Sequence, residues 1–175
     1  MMIELMLVEG VSDVQLISYY LQNVYGWKHE KKNDLRLEPL DGHDYIESLS
    51  KGENQLILCG VGGNGRFAHF IEKHRINSII IEREISSVMI VTDRDEDSIS
   101  KIRRRINDLF ENISYRAGEW INNEIKDSFG QPKQIGFNIS KFIYCGGNIQ
   151  NRGVLKVLLR QSCCLLSNCY RAIMA

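Results

Sequence analysis

The sequence predicts an α/β fold with a mostly parallel central sheet of about four strands and helices on both faces. Three strand-like runs support this prediction, because a short and nearly continuous apolar run indicates a strand that is covered on both faces. These runs are Ile3–Val8, Gln55–Cys59 and Val88–Thr92. Each is followed by a polar turn and then by apolar residues at helical spacing, an alternation that is typical of parallel sheets.

The first strand–helix unit occupies the N-terminus. A strand over residues 1–8 ends in a glycine-containing turn, and apolar residues at helical spacing then predict a helix over about 13–25. Ser12 and Gln15 fit a capping box at the start of this helix. The residues between strand and helix should therefore lie at one edge of the sheet.

A polar segment separates this unit from the second one. Within it we expect a short edge strand over 35–40 and a helical turn over 45–49. The second unit consists of the strand 55–59 and a helix over 66–75. Residues 76–81 are interpreted as the end of that helix and its connection to the next strand.

The C-terminal half should add one strand and several helices. After the strand at 88–92, apolar spacing predicts an amphipathic helix over 99–110 and a short helix over 119–129. Residues 135–145 are expected to form the last strand, and residues 154–159 look helical.

Length and composition indicate one globular domain. The chain has 175 residues, of which 43% are hydrophobic and 25% charged, which is ordinary for a folded domain. We assign residues 1–160 to a single domain and leave 161–175 as a tail of uncertain structure. No run of about 18 apolar residues occurs, so no membrane span is expected. The chain starts directly on a strand, without a basic leader, which favours a cytoplasmic location.

The charges balance overall but are unevenly distributed. The last acidic residue is Asp127, and residues 128–175 contain six lysines and arginines and no acid. A basic end would attract a phosphate backbone. At this charge density, an ordinary polar surface explains the pattern equally well.

Acidic residues follow two of the predicted buried strands. Asp93 and Asp95 come after the strand at 88–92, and Glu9 comes after the first strand. Ligands of open α/β sheets bind at the carboxyl ends of the strands. Carboxylates that meet there can hold Mg²⁺ or Mn²⁺. The alternative is that these acids solvate a loop and the N-terminus of the next helix.

A glycine-rich loop follows the second buried strand. Residues Gly60–Gly65 have the spacing G-x-G-x-x-G, which suggests a dinucleotide site with Glu82 or Glu84 as the downstream acid. That hypothesis explains neither Glu9 nor the aspartate pair. The glycines would equally let the backbone approach a phosphate, or simply form a flexible turn. The glycines proposed to approach a phosphate are Gly62, Gly63 and Gly65.

Basic residues near these motifs are candidates for binding nucleic acid. Lys101, Arg103 and Arg104 lie on the polar side of the helix predicted after the aspartates, and Arg66 follows the glycine-rich loop. Such side chains could hold a phosphate backbone. The alternative is a solvated helix face.

In combination, these motifs resemble the toprim domain. This domain is shared by topoisomerases, primases, the OLD (overcoming lysogenization defect) nucleases and small stand-alone bacterial or phage proteins. The matching stretches are Leu7–Asp13, Gly60–Gly63 and Ile90–Asp95. The resemblance covers residues 3–115 and implies a compact, Rossmann-like toprim fold.

The resemblance also implies roles for individual acids. Glu9 would act as the general acid/base and would contribute to metal binding. Asp93 and Asp95 would coordinate Mg²⁺ or Mn²⁺, with Asp97 as an auxiliary ligand. Asp13 would serve as a minor ligand or as a helix cap.

The implied function is metal-dependent phosphodiester chemistry on DNA or RNA, as in an OLD-like nuclease. A separate ATPase or a defence-system protein would be a candidate partner. The alternative is a non-catalytic module that binds nucleic acid or a partner protein. It is favoured by the absence of carboxylates after Asp127, where OLD-like members build a second metal site. Lys156 also stands where related stand-alone proteins often carry a glutamate.

Overall fold

The structure is a computed structural model that describes residues 2–83, 85–93, 108–110, 113 and 121–142, with the backbone alone at 64, 93 and 138–142. The helices in these ranges lack the combination of length and apolar character needed to cross a bilayer. The elements along the chain are β1 (Met2–Val8), α1 (Val11–Tyr25), β2 (Lys28–Glu30), β3 (Tyr45–Lys51), β4 (Asn54–Gly60), a 3₁₀ turn (Asn64–Arg66), α2 (Phe67–Lys73), α3 (Ile76–Glu82), β5 (Ile85–Asp93), β6 (Ile121–Lys126) and β7 (Pro132–Phe142).

The strands form one mixed sheet in the order β2-β3-β4-β1-β5-β7-β6. The neighbours β4, β1, β5 and β7 run parallel. Antiparallel pairing adds β3 and β2 at one side and β6 at the other. The prediction of a mostly parallel, Rossmann-like toprim fold of about four strands is therefore wrong. It missed the strands whose conformation depends on pairing with a neighbour rather than on an apolar run.

Apolar side chains leave the central strands on both faces. In β1, Leu5 and Leu7 belong to one core cluster, whereas Met6 and Val8 belong to the other. The first cluster is covered by α2 and α3, and the second by α1. This two-sided burial is the physical reason for the nearly unbroken apolar runs in β1, β4 and β5.

Several local predictions are also wrong. Residues 45–49, expected to be a helical turn, lie in β3, which pairs along its whole length with β4. No strand occurs within 31–44, where Leu35 and Leu37 are instead buried in the core. The helix expected over 119–129 is replaced in its described part by β6 and the turn that follows it. The helices predicted over 99–110 and 154–159 lie mostly or entirely outside the described residues.

The predicted strands at the N-terminus, at 55–59 and at 88–92 are confirmed. Helix α1 is also confirmed, but it begins at Val11 with Gly10 as its cap, so the Ser12–Gln15 capping box is wrong. The amide of Gly10 instead donates a hydrogen bond to Asp13 Oδ2 at 2.9 Å. A carboxylate in the first turn also interacts favourably with the helix dipole.

Candidate functional site

The parallel register of β1 and β5 brings Glu9 and Asp93 to the same edge of the sheet. Val8 pairs with Val91, so Glu9 leaves β1 beside the end of β5, which continues through Thr92 to Asp93. This is the carboxyl edge of adjacent parallel strands, where ligands bind in open α/β sheets. The side chain of Asp93, and Asp95 and Asp97 entirely, lie outside the described residues.

Thr92 orients the Glu9 carboxylate. The Thr92 side chain is buried, and its hydroxyl donates a short hydrogen bond to Glu9 Oε1. This bond joins β5 to the turn after β1 and limits the positions that the half-buried Glu9 can adopt. Thr92 is not among the site residues predicted from the sequence, although a polar residue at the end of an apolar strand and next to an aspartate was an available signal.

Asp13 stabilises the turn that carries Glu9. Its Oδ2 accepts the hydrogen bond from the Gly10 amide, one residue after Glu9. The structure therefore gives Asp13 the role of a helix cap, one of the two roles that the resemblance implied. By fixing this turn, Asp13 also restrains the backbone of Glu9.

The glycine-rich loop packs directly on the Glu9 turn. A Cβ atom at Gly60 would lie 3.1 Å from both the carbonyl carbon and the carbonyl oxygen of Gly10, too close to fit without a shift. Three residues on, the amide of Gly63 donates a 2.7 Å hydrogen bond to the Glu9 carbonyl oxygen. Here the absence of a side chain allows backbone to contact backbone.

Glycine is required at position 62 because His43 packs against it. Its φ is +84°, and a Cβ atom there would lie 2.8 Å from the Cβ of His43. At Gly65, by contrast, an added Cβ would meet no described atom within 4 Å. Packing within the protein thus explains Gly62, while Gly65 keeps open space beside its backbone.

The dinucleotide hypothesis gains no support from this geometry. Glu82, one of its two candidate ribose-binding acids, ends α3 shortly before β5 begins, and the other, Glu84, lies outside the described residues. Because β4 and β5 both run parallel to β1, Glu82 lies at the amino edge of the sheet, opposite the Gly60–Gly65 loop. A ribose-binding acid belongs at the carboxyl edge.

Arg66 and Lys73 converge on one carboxylate, that of Asp41. Asp41 Oδ2 lies 2.9 Å from Arg66 Nη2 and 2.7 Å from Lys73 Nζ, and His69 Nε2 is 4.0 Å away. The hydrogen bond from Lys73 and the backbone hydrogen bond from His43 hold the pKa of Asp41 well below its usual range. Asp41 is therefore an anion at neutral pH.

A buried pair lies beneath this cluster. Asp44 Oδ2 is 2.9 Å from His74 Nε2, and both side chains are almost completely buried. The pair fastens the turn at 41–44 to the end of α2. Burial, with a smaller effect from Asp44, raises the pKa of the Cys59 thiol, which stays protonated and unreactive.

The chemistry of the edge acids fits a hard divalent cation. Glu9, together with an aspartate at the end of the adjacent strand, offers the carboxylate oxygens that Mg²⁺ prefers. Among the side chains that the structure describes, no three His, Cys, Asp or Glu are grouped to hold a metal. A metal site here would therefore need Asp93, Asp95 or Asp97.

Of the basic residues proposed to bind nucleic acid, only Arg66 is described; Lys101, Arg103 and Arg104 lie outside the described residues.

The sequence model of a family described as "Protein of unknown function (DUF3226)" matches residues 3–173. The chain belongs to this family. It is also similar to the crystal structure of a hypothetical protein from Pyrococcus horikoshii OT3, with a TM-score of 0.52 and 15% identity, covering 92% of this chain and 70% of that chain. At this identity the likeness concerns the fold alone. None of the curated proteins compared with the chain matches it.

Proposed function

We propose that the chain is a Mg²⁺- or Mn²⁺-dependent nuclease that acts on nucleic-acid phosphodiesters, with chemistry like that of the OLD nucleases. The observation that carries this proposal is the meeting of Glu9 and Asp93 at one edge of adjacent parallel strands. The motif resemblance to the toprim domain supports it independently of the strand count. The proposal also implies a cytoplasmic protein, because nucleic acid and Mg²⁺ are both available there.

Each acid has a role in this proposal. Asp93 and Asp95 hold the cation, and Asp97 assists. When bound, Mg²⁺ polarises the scissile phosphate and lowers the pKa of a coordinated water. Glu9 moves a proton at its carboxylate, which the Thr92 hydroxyl keeps oriented toward the end of β5.

A cleavage assay tests the proposal. The chain is incubated with plasmid DNA, single-stranded DNA and structured RNA, each with Mg²⁺, Mn²⁺ or EDTA. We expect cleavage that requires the metal and that falls at least about a hundredfold in Glu9→Gln and in Asp93→Asn. The matched control is Glu53→Gln, at an exposed glutamate in the β3–β4 turn, which should cleave like the parent.

Two results would contradict the nuclease proposal. One is the absence of cleavage on every substrate with either metal. The other is an Asp93→Asn variant that cuts as fast as the parent. Metal binding and retention of nucleic acid without cleavage would instead support the non-catalytic binding module.

A further inference from the structure

In the Asp41 cluster, two cations share one carboxylate oxygen. The Arg66 guanidinium and the Lys73 ammonium both point at a single oxygen, Asp41 Oδ2. Arg66 therefore meets the carboxylate through one nitrogen, whereas arginine binds carboxylates and phosphates best through two parallel hydrogen bonds. Lys73 Nζ also lies 3.9 Å from Asp44 Oδ2, so Arg66 is the less completely paired of the two cations.

Arg66 also retains an unused donor. Its Nε atom is buried and has no hydrogen-bond partner among the described residues. A buried donor without a partner is unfavourable and needs an explanation. The same Nε lies 3.2 Å from the position that a Cβ would take at Gly62. A side chain at position 62 would therefore crowd this donor.

Backbone hydrogen bonds connect the cluster to the turn that carries Glu9. Gly63 donates to the Glu9 carbonyl oxygen, and Arg66 follows Gly63 by three residues and donates its own amide to the Gly63 carbonyl oxygen at 2.9 Å. Two hydrogen bonds therefore link Arg66 to the Glu9 turn.

We propose that Arg66 and Lys73 form a binding site for a phosphate group, and that Asp41 fills this site in the structure as an internal substitute for that phosphate. The proposal deepens the proposed function and rests on it for the identity of the ligand, the backbone of a nucleic acid. A phosphate that binds here displaces Asp41 from both cations.

Phosphate fits the donors better than the carboxylate does. It offers more oxygens than the single one that Asp41 presents, so Arg66 can use Nε and Nη2 together while Lys73 keeps a partner. The Asp41 side chain is 29% exposed, so it can turn toward solvent when displaced. Its other oxygen accepts hydrogen bonds from the amides of His43 and Asp44, and these two bonds are lost when the side chain turns to solvent.

The competing explanation is that Asp41 only fastens its loop to α2. Asp41→Asn separates the two explanations, because the amide oxygen can still accept the backbone hydrogen bonds while the negative charge is gone. As a substitute for phosphate, Asp41 competes with the ligand, and its neutralisation must raise phosphate affinity. If Asp41 only anchors its loop to α2, its neutralisation changes thermal stability and leaves phosphate affinity the same.

Calorimetric titration of the full chain with inorganic phosphate in EDTA is the first test. We expect Asp41→Asn to bind phosphate about tenfold more tightly, and Arg66→Gln and Lys73→Gln at least about tenfold more weakly, than the parent. Arg75→Gln is the matched control, since Arg75 is exposed just beyond α2, and it should bind like the parent. Circular dichroism spectra and melting curves verify that each variant is folded.

A second arm distinguishes a nucleic-acid backbone from a free phosphate. A twelve-nucleotide oligothymidylate without terminal phosphates and inorganic phosphate are each titrated over a range of salt concentrations. If the ligand is the backbone, Arg66→Gln weakens oligonucleotide binding and lowers its salt slope by about one. If only inorganic phosphate responds to the variants, the site takes free phosphate or a phosphate monoester.

The phosphate site would be overturned if Arg66→Gln and Lys73→Gln both bound phosphate as tightly as the parent. The displacement of Asp41 by phosphate would be overturned if a folded Asp41→Asn variant bound phosphate no more tightly than the parent. Because EDTA removes the metal, these measurements do not depend on cleavage. A failure of the nuclease proposal appears only in the cleavage assay, and a failure of the phosphate site appears only in the titrations.

Discussion

Replacing Glu4 with glutamine should remove a pH-dependent loss of stability that is built into the centre of the sheet. Glu4 lies in β1 between Leu56 of β4 and Ser87 of β5, and only 4% of the residue is exposed. Among the described residues, the Oε2 atom of Glu4 has no hydrogen-bond partner. The buried Nε1 atom of Trp27 also has none among them. Burial without a partner disfavours the charged form of a carboxyl group.

The size of the effect follows from the pKa of Glu4. Burial raises this pKa from 4.5 to about 7. The folded state therefore binds more protons than the unfolded state between these two values, so the free energy of unfolding falls as the pH rises through this window. At about 1.4 kcal/mol per pH unit, the total loss contributed by Glu4 is about 3 kcal/mol, complete above pH 7.

Urea denaturation of the parent and of Glu4→Gln, from pH 4.5 to 8.5 at constant ionic strength, measures this loss. Glutamine stays neutral, so the variant should match the parent within about 1 kcal/mol at pH 4.5 and exceed it by about 3 kcal/mol at pH 8.5. Glu53→Gln, at the exposed β3–β4 turn, should follow the parent at every pH.

Parallel stability curves for the parent and Glu4→Gln across this range would refute the reasoning. They would mean that Glu4 ionises in the folded state as easily as in the unfolded chain. The buried position in β1 would then contain water or a partner group that solvates the carboxylate.

Three further substitutions test the packing and the site. Gly62→Ala should destabilise the protein by about 1–3 kcal/mol, because the residue has a positive φ and its Cβ would clash with His43; Gly42→Ala, whose added Cβ would meet no described atom within 4 Å, should have little effect in the same thermal melts. Thr92→Val removes the hydroxyl that orients Glu9 and should slow cleavage about 10–100-fold in single-turnover assays, whereas an unchanged rate would separate Thr92 from the site. Phe70→Ala empties a completely buried position and should lower the unfolding free energy by about 3–5 kcal/mol in urea; a loss under 1 kcal/mol would contradict the assigned core.

The accuracy of the sequence predictions depended on burial. β1, β4 and β5 were predictable because strands that are buried on both faces must be apolar along their length. β3 and β6 were not, because they lie near the sides of the sheet and hold their conformation by antiparallel pairing with β4 and β7. The glycine at position 52, with φ +60°, marked the turn between β3 and β4 and was the signal that could have identified β3.

The candidate site also contains residues that could be predicted from the sequence and contacts that could not. Glu9 and Asp93 stood out because each follows an apolar strand, and parallel pairing then brought them to one edge. The hydrogen-bond partners of the site residues could not be predicted, because they are far apart in the chain. Thr92 and Glu9 are separated by 83 positions, and Asp41 and Lys73 by 32 positions. The predicted roles of Asp95, Asp97 and the basic residues after them stay predictions.

By itself, the sequence determined which segments enter the core and which acids stand where two central strands end, because hydrophobic patterning is a local property of the chain. Only the tertiary structure decided the number and direction of the strands, the use of glycine at 60 and 62 for close backbone packing, and the pairing of Asp41 with two cations. Each of these depends on contacts between residues far apart in the chain, and such contacts leave no periodic trace in the sequence.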